Sequence, residues 1–204
     1  GRDAGWGQED PILARRSVRR YRDEPIPPEL IRRALTAACA APSAHNRQPW
    51  RFVVISTLDS KEALAEAMGA RLASDRRRDG DDPASIAEDV ERSRARLVGA
   101  PVLVLVCLTM EDMDNYADEK RRNAEYTMAV QSVAMAGQNL LIAAEREGLG
   151  SCWLCAPLFC PDVPVRIYDL PSHWLPQGLI TLGYPRTRAE CKPRKPLMAV
   201  SVDR

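Results

Sequence analysis

Behind Pro27-Pro28, apolar residues recur at helical spacing: Leu30, Ile31, Ala34, Leu35 and Ala38. They predict a helix that Pro42 ends. Upstream, Asp10-Pro11 pairs an N-cap with a first helical residue and predicts a short helix ending near Arg16. Trp50 to Ile55 (WRFVVI) reads as a strand between Pro49 and the polar Ser56-Thr57. Ser60 reads as the cap of a third helix, with Glu62 in its first turn. Arg71 to Asp82 mixes both signs of charge around Gly80 and reads as a frayed helix end and exposed loop. Pro83 opens a fourth helix that ends near Gly99.

Val102 to Leu108 is an unbroken apolar run of strand length, expected to be central and buried on both faces. A long helix is expected from about Asn123 to Arg146, stopped at Gly148-Leu149-Gly150. Its apolar stretch Met128–Ala144 contains Gln131, Ser132, Gln138 and Asn139, so it reads as a buried helix rather than a membrane span. Ser151 to Leu154 reads as a short strand or a turn into one, and Leu179 to Leu182 as the last strand. The Pro-rich stretch from Tyr184 to Arg204 reads as an arm. Helices and strands alternate without a βαβ repeat, which predicts an α+β domain over residues 10–204, a sheet covered by helices, behind a tail at residues 1–9.

Composition narrows the function classes. With 29 Lys+Arg against 28 Asp+Glu, the net charge of +1 provides no field suited to nucleic acid or an anionic membrane. Aromatics are 5%, so the core must be built from Ala, Leu, Val and Ile. Six cysteines in 204 residues do not resemble a secreted disulfide framework, and Gly1 to Asp10 has no apolar run; both point to reduced thiols in the cytoplasm. Gly1 in place of Met reads as processing or as a piece of a longer chain.

Several short motifs carry possible chemistry. Arg15-Arg16-Ser17-Val18-Arg19-Arg20 sets guanidiniums beside a hydroxyl, which suits a phosphate and equally a solvated helix end. Ala41 to Trp50 (APSAHNRQPW) brackets Ser, His, Asn and Gln between two prolines; a stiff loop of this kind can face a planar polar ring or satisfy its own turns. Gly148 to Cys155 (GLGSCWLC) lets backbone approach a ligand, but it is neither a nucleophile elbow nor a dinucleotide fingerprint. Cys152 and Cys155 form C-x-x-C without the helix N-terminus of a redox pair or the further ligands of a metal site, so no metal is expected. Lys192-Pro193-Arg194-Lys195 reads on its own as a solvated arm.

In this order, the motifs resemble the nitroreductase family. The pattern runs from R-R-S-V-R through A-P-S-A-x-N-x-Q-P-W and G-L-G-S-C-W to Gly183-Tyr184-Pro185 and K-P-R-K-P-L, covering about Asp10 to Val200. The resemblance implies an α+β fold with a mostly antiparallel sheet, an intertwined homodimer, and FMN held between subunits. Arg15, Arg16, Ser17 and Arg19 would hold the FMN phosphate and ribityl chain, and Lys192 or Arg194 would reach back to the phosphate. Ser43 and Asn46, with Gln48 a weaker candidate, would lie along the flavin, and the backbone at Leu154 and Cys155 would meet the ring. Some contacts would come from the second subunit.

A narrower resemblance is to the C-terminal reductase domain of the bifunctional γ-glutamyl ligase of coenzyme F-420 biosynthesis. Gly148–Asp169, Leu170-Pro171, Trp174-Leu175-Pro176, Gly178, Asp75 and Ala124–Met128 carry it. It implies FMN-dependent reduction of a dehydro precursor of the deazaflavin coenzyme. Asp75 would lie in the deazaflavin region, and the Arg76–Arg78 run would attract substrate phosphate and carboxylates. The chain departs from that domain in carrying Cys155 where the domain has Gly. It also lacks the ligase half, which makes it a free-standing reductase or an excised domain. Hydride would pass from the flavin to a conjugated double bond, with solvent or Tyr126 open as proton donor. The rival readings are a general NAD(P)H-dependent nitro- or quinone-reductase, a non-catalytic flavin- or deazaflavin-binding protein, and a thiol redox protein using Cys152.

Overall fold

The computed structural model describes residues 10–187 and 189–203; the expected tail at residues 1–9 lies outside them. Four strands form one sheet in the order β1-β2-β4-β3: β1 (Trp50–Ile55), β2 (Val102–Leu108), β3 (Gly150–Leu154) and β4 (Leu175–Gly183). All three pairings are antiparallel. The helices are α1 (Pro11–Ala14), α2 (Pro28–Cys39), α3 (Leu58–Arg78), α4 (Pro83–Val98), α5 (Glu119–Arg146) and α6 (Asp162–Ile167).

The unbroken apolar run of β2 is explained by its place between two layers. Val102, Val104, Val106 and Leu108 share a core with Ala34 and Ala38 of α2 and Val133, Ala136 and Leu140 of α5. Leu103, Leu105 and Cys107 point the other way, into a core with Leu64 and Met68 of α3 and Leu97 of α4. The period-two alternation of a strand thus fills both faces. Trp153 of β3 is clamped by two glycines. A Cβ on Gly137 would stand 2.5 Å from its ring, and one on Gly178 would stand 2.3 Å from it. The β2–β4 register shifts at Val106/Cys107, beside that clamp.

Gly148 ends α5 with φ +74, donating to the Glu145 carbonyl, while Leu149 donates to that of Ala144. This is a Schellman closure, which glycine makes without strain.

Several sequence boundaries are corrected. The stretch from Arg71 is not a frayed end: α3 continues to Arg78, because Arg76 is gripped by Asp81 and Asp89 and Arg71 by Asp162. Thr57 rather than Ser60 caps α3, accepting from the Ser60 amide. α1 stops at Ala14, and α5 starts four residues early, behind the Asp118 cap. β4 begins at Leu175, extended by pairing with Leu108, and α6 went unseen because Pro164 interrupts its pattern. Beyond Pro185 the described residues hold only a 3₁₀ turn, Leu197–Ala199, in accord with an arm. Among the described residues, no helix is long and apolar enough to cross a membrane.

Candidate functional site

The Arg-rich segment runs along the outer edge of β3. Ser17 bridges Ser151 in parallel, and the Val18 amide donates to the Ser151 carbonyl at 2.9 Å. Tyr21 anchors the far end: its buried hydroxyl donates to the Val18 carbonyl at 2.6 Å and lies 2.6 Å from Thr181 Oγ1. Along this edge segment Val18 and Tyr21 are buried, while Ser17, Arg19 and Arg20 are exposed.

Above this edge lies a cavity of about 320 Å³ lined by Arg16, Ser17, Arg19, Lys192 and Arg194, with Ala189 and Glu190. The C-terminal arm therefore folds back onto the N-terminal cluster, across more than 170 residues of sequence. Among the described residues, Arg15, Arg16, Arg19, Lys192 and Arg194 make no ion pair with a carboxylate. Arg16 and Arg19 bond only to main-chain carbonyls. Four unneutralised cations and a hydroxyl around one hollow are the donor set of a phosphate dianion. Arg15 is half-buried beside the cavity without lining it. Glu190, the one carboxylate in the wall, went unnoticed in the sequence; its position just before the Lys192-Pro193-Arg194 run was the available signal.

Beneath the cavity, burial pushes the Cys152 thiol up, partly opposed by Arg19 and the Ser17 hydroxyl. A thiol so shifted is a poor nucleophile. Cys152 is buried while Cys155 is exposed, and both are free. Leu154 and Cys155 lie where β3 ends, three and four residues along the strand from Ser151. They are thus about 10–13 Å from the Ser17 bridge at a strand's usual rise.

Ser43 and Asn46 do not join this cavity. They belong to a loop at the opposite edge, where the Ser43 hydroxyl accepts from the Gln48 amide at 3.0 Å and the Ala44 amide donates to Ser132 Oγ. His45, Asn46 and Gln48 all have positive φ, between 49 and 55. The register measures the separation. Ser151 is level with Leu182 and Val102, whereas Trp50 is level with Leu108 and lies three strand spacings away. Three spacings and six residues put the two groups roughly 25 Å apart.

Asp75 and Arg76 line a separate hollow, of about 240 Å³, with Met68, Leu72, Ala156 and Phe159. Arg76 is already committed: Nε donates to Asp81 at 2.6 Å, Nη1 pairs with Asp89, and Nη2 reaches Ser85. Arg78 is paired with Asp75. The positive charge expected to draw substrate here is largely compensated within the α3–α4 pair.

Residues 12–184 match the model of the nitroreductase family. The chain is 32% identical to an NADH dehydrogenase of Thermus thermophilus, over 92% of this chain and 91% of that protein. Its fold matches that of a nitroreductase-type protein of Desulfovibrio desulfuricans solved in complex with FMN, with TM-score 0.72, 27% identity, and 95% and 94% of the two chains covered. It also matches an iodotyrosine deiodinase bound to FMN and 3-iodo-L-tyrosine, with TM-score 0.72, 25% identity, and 92% and 95% covered.

Proposed function

The chain belongs to the nitroreductase family, and from that premise we propose that it is an FMN-dependent oxidoreductase whose cofactor phosphate sits in the cavity between Ser17 and Lys192. The observation that carries this reading is the convergence of Arg16, Ser17, Arg19, Lys192 and Arg194 on one hollow without a neutralising carboxylate on any of the cations. The FMN complex of the Desulfovibrio relative supports it. Arg15 adds positive field from behind.

From that seat the cofactor would extend along β3, setting its ring near the backbone of Leu154 and Cys155. FMN, when bound, supplies hydride acceptance and donation. The protein's own part is to hold the phosphate, keep one ring face against β3, and leave the other open to a small planar substrate.

Ser43 and Asn46, roughly 25 Å from the phosphate cavity within one chain, reach the flavin only from a second copy, so the functional unit is a homodimer. The arm supports this. Leu197 and Met198 are 74% and 86% exposed, and Val200 and Val202 are exposed beside them, an apolar run left uncovered among the described residues.

The electron donor in this reading is a reduced nicotinamide nucleotide, as the name of the Thermus relative suggests, and the acceptor is a nitro or quinone compound. A second reading of the acceptor, a dehydro precursor of coenzyme F-420, is favoured by the apolar hollow that joins Asp75 to Phe159, four residues past Cys155. Anaerobic addition of NADH to the FMN-loaded protein should bleach the flavin, and reoxidation should follow with a quinone or the deazaflavin precursor. Which acceptor reoxidises it faster separates the two readings; no bleaching by NADH or NADPH rejects the nicotinamide donor.

A further inference from the structure

At the β1 edge, next to the Ser43–Gln48 loop, lies an open cleft of about 560 Å³ lined by Arg47, Trp50, Arg51, Phe52, Asp112 and Trp174. Gln48, the weaker flavin candidate, also lines it, while Ser43 and Asn46 do not. Its walls combine two kinds of chemistry: aromatic rings, with Trp174 and Phe52 half-buried, and two guanidiniums.

Each guanidinium meets a single carboxylate oxygen. Arg47 Nη2 meets one oxygen of Asp114 at 2.7 Å, and Arg51 Nη2 approaches Asp112 at 3.7 Å. Arg51 Nη1 donates to the carbonyls of Gln48 and Trp50, which aims its plane along the cleft wall. Asp112 and Asp114 lie on the segment between β2 and α5, and the Asp112 side chain is 64% exposed. Exposed single-contact pairs of this sort contribute little. A phosphate offers each guanidinium a bidentate partner instead.

The position of the cleft is informative. It borders the loop whose three left-handed residues are held by Ser43 and Ser132, and strain of that kind persists where the surroundings fix it. In the homodimer proposed above, this loop reaches the partner's flavin, so the cleft opens beside the ring that a donor must reach.

We propose that this cleft binds the adenosine-phosphate end of the reduced nicotinamide dinucleotide. The purine stacks on Trp174 and Phe52, and the phosphates engage Arg47 and Arg51. The inference rests on the dimeric FMN reading above, and it adds a handle for the donor that the flavin seat does not supply. Base stacking on an aromatic and a charge-assisted phosphate contact are each strong enough to raise donor efficiency roughly tenfold.

The test compares NADH with reduced nicotinamide mononucleotide, which lacks the adenosine phosphate, in anaerobic flavin reduction by the FMN-loaded protein. The expected kcat/KM favours NADH by roughly tenfold or more, and Trp174→Ala and Arg51→Gln each bring the ratio towards one. Equal efficiencies in the unaltered protein, or a ratio that both variants leave unchanged at full FMN content, would overturn it. A protein that takes up no FMN contradicts the earlier reading instead. The cleft is then judged by titrating the protein with ADP: quenching of tryptophan fluorescence that Trp174→Ala removes supports it, and no quenching rejects it.

Discussion

A Cβ on Gly150 would stand 2.8 Å from the Cβ of Val18, so the Arg-bearing segment can lie on the edge of β3 only because residue 150 has no side chain. Gly150→Ala must push that segment outward. The expected cost is about 1–3 kcal/mol of stability, together with weaker FMN binding, since Ser17 and Arg19 flank Val18. Urea unfolding and FMN titration of the variant check both.

The phosphate cavity predicts opposite effects from opposite charges. Arg19→Ala or Lys192→Ala removes a charge-assisted contact and should weaken FMN binding by roughly 10- to 100-fold. Glu190→Gln removes the one carboxylate in the wall and should strengthen it. The effects should shrink as salt is raised. Fluorescence titrations at two ionic strengths would show this, and a Glu190→Gln variant that binds FMN more weakly would contradict the assignment.

If each site is built from two chains, two damaged variants can repair one another. Arg19→Ala and Asn46→Ala proteins should each bind FMN poorly. After co-refolding, mixed dimers should regain one intact site each, or about a quarter of all sites for random pairing of a two-fold dimer. Flavin content per chain after mixing is the readout, and recovery that stays at the level of the separate variants would contradict the shared site.

Alkaline pH should destabilise the fold. Burial pushes the Cys107 thiol from its ordinary 9.0 up to about 12, and the Tyr168 hydroxyl from 10.0 up to about 12. Burial raises Tyr21 further still, although Thr181 opposes it. The unfolded chain releases these protons above pH 9–10 while the folded chain keeps them. The stability is therefore whole below about pH 9 and is lost as pH rises towards 12. The urea midpoint should fall between pH 8 and pH 11, and Cys107→Val should flatten that fall.

Arg76 should prove structural. Its guanidinium joins Asp81, Asp89 and Ser85 across the α3–α4 pair. Arg76→Ala should lower the melting temperature while leaving the acceptor KM unchanged. A raised KM at unchanged stability would return Arg76 to the substrate.

Much of this was legible in the sequence because the signals were local. The apolar run of β2, the Pro-led starts of α2 and α4, and the glycine stop after Arg146 each report on their immediate neighbours. The Arg16–Arg19 cluster and the Lys192-Pro193-Arg194 run were also visible, but that they share one cavity depends on the path of the arm, which no local pattern encodes. The reach of α3 through Arg78 was missed because its last turns are held by Asp89 and Asp162, partners from other helices. The cleft at Arg47 and Arg51 was missed for a similar reason: Trp174 arrives from more than 120 residues away, and it meets the two arginines only when β4 pairs with β2.

The most direct test of the central claim is the visible absorption spectrum of the purified protein, before and after denaturation. A yellow protein that releases about one FMN per chain is the predicted result. A colourless protein that also fails to take up added FMN would contradict the account and leave the cavity between Ser17 and Lys192 without its ligand.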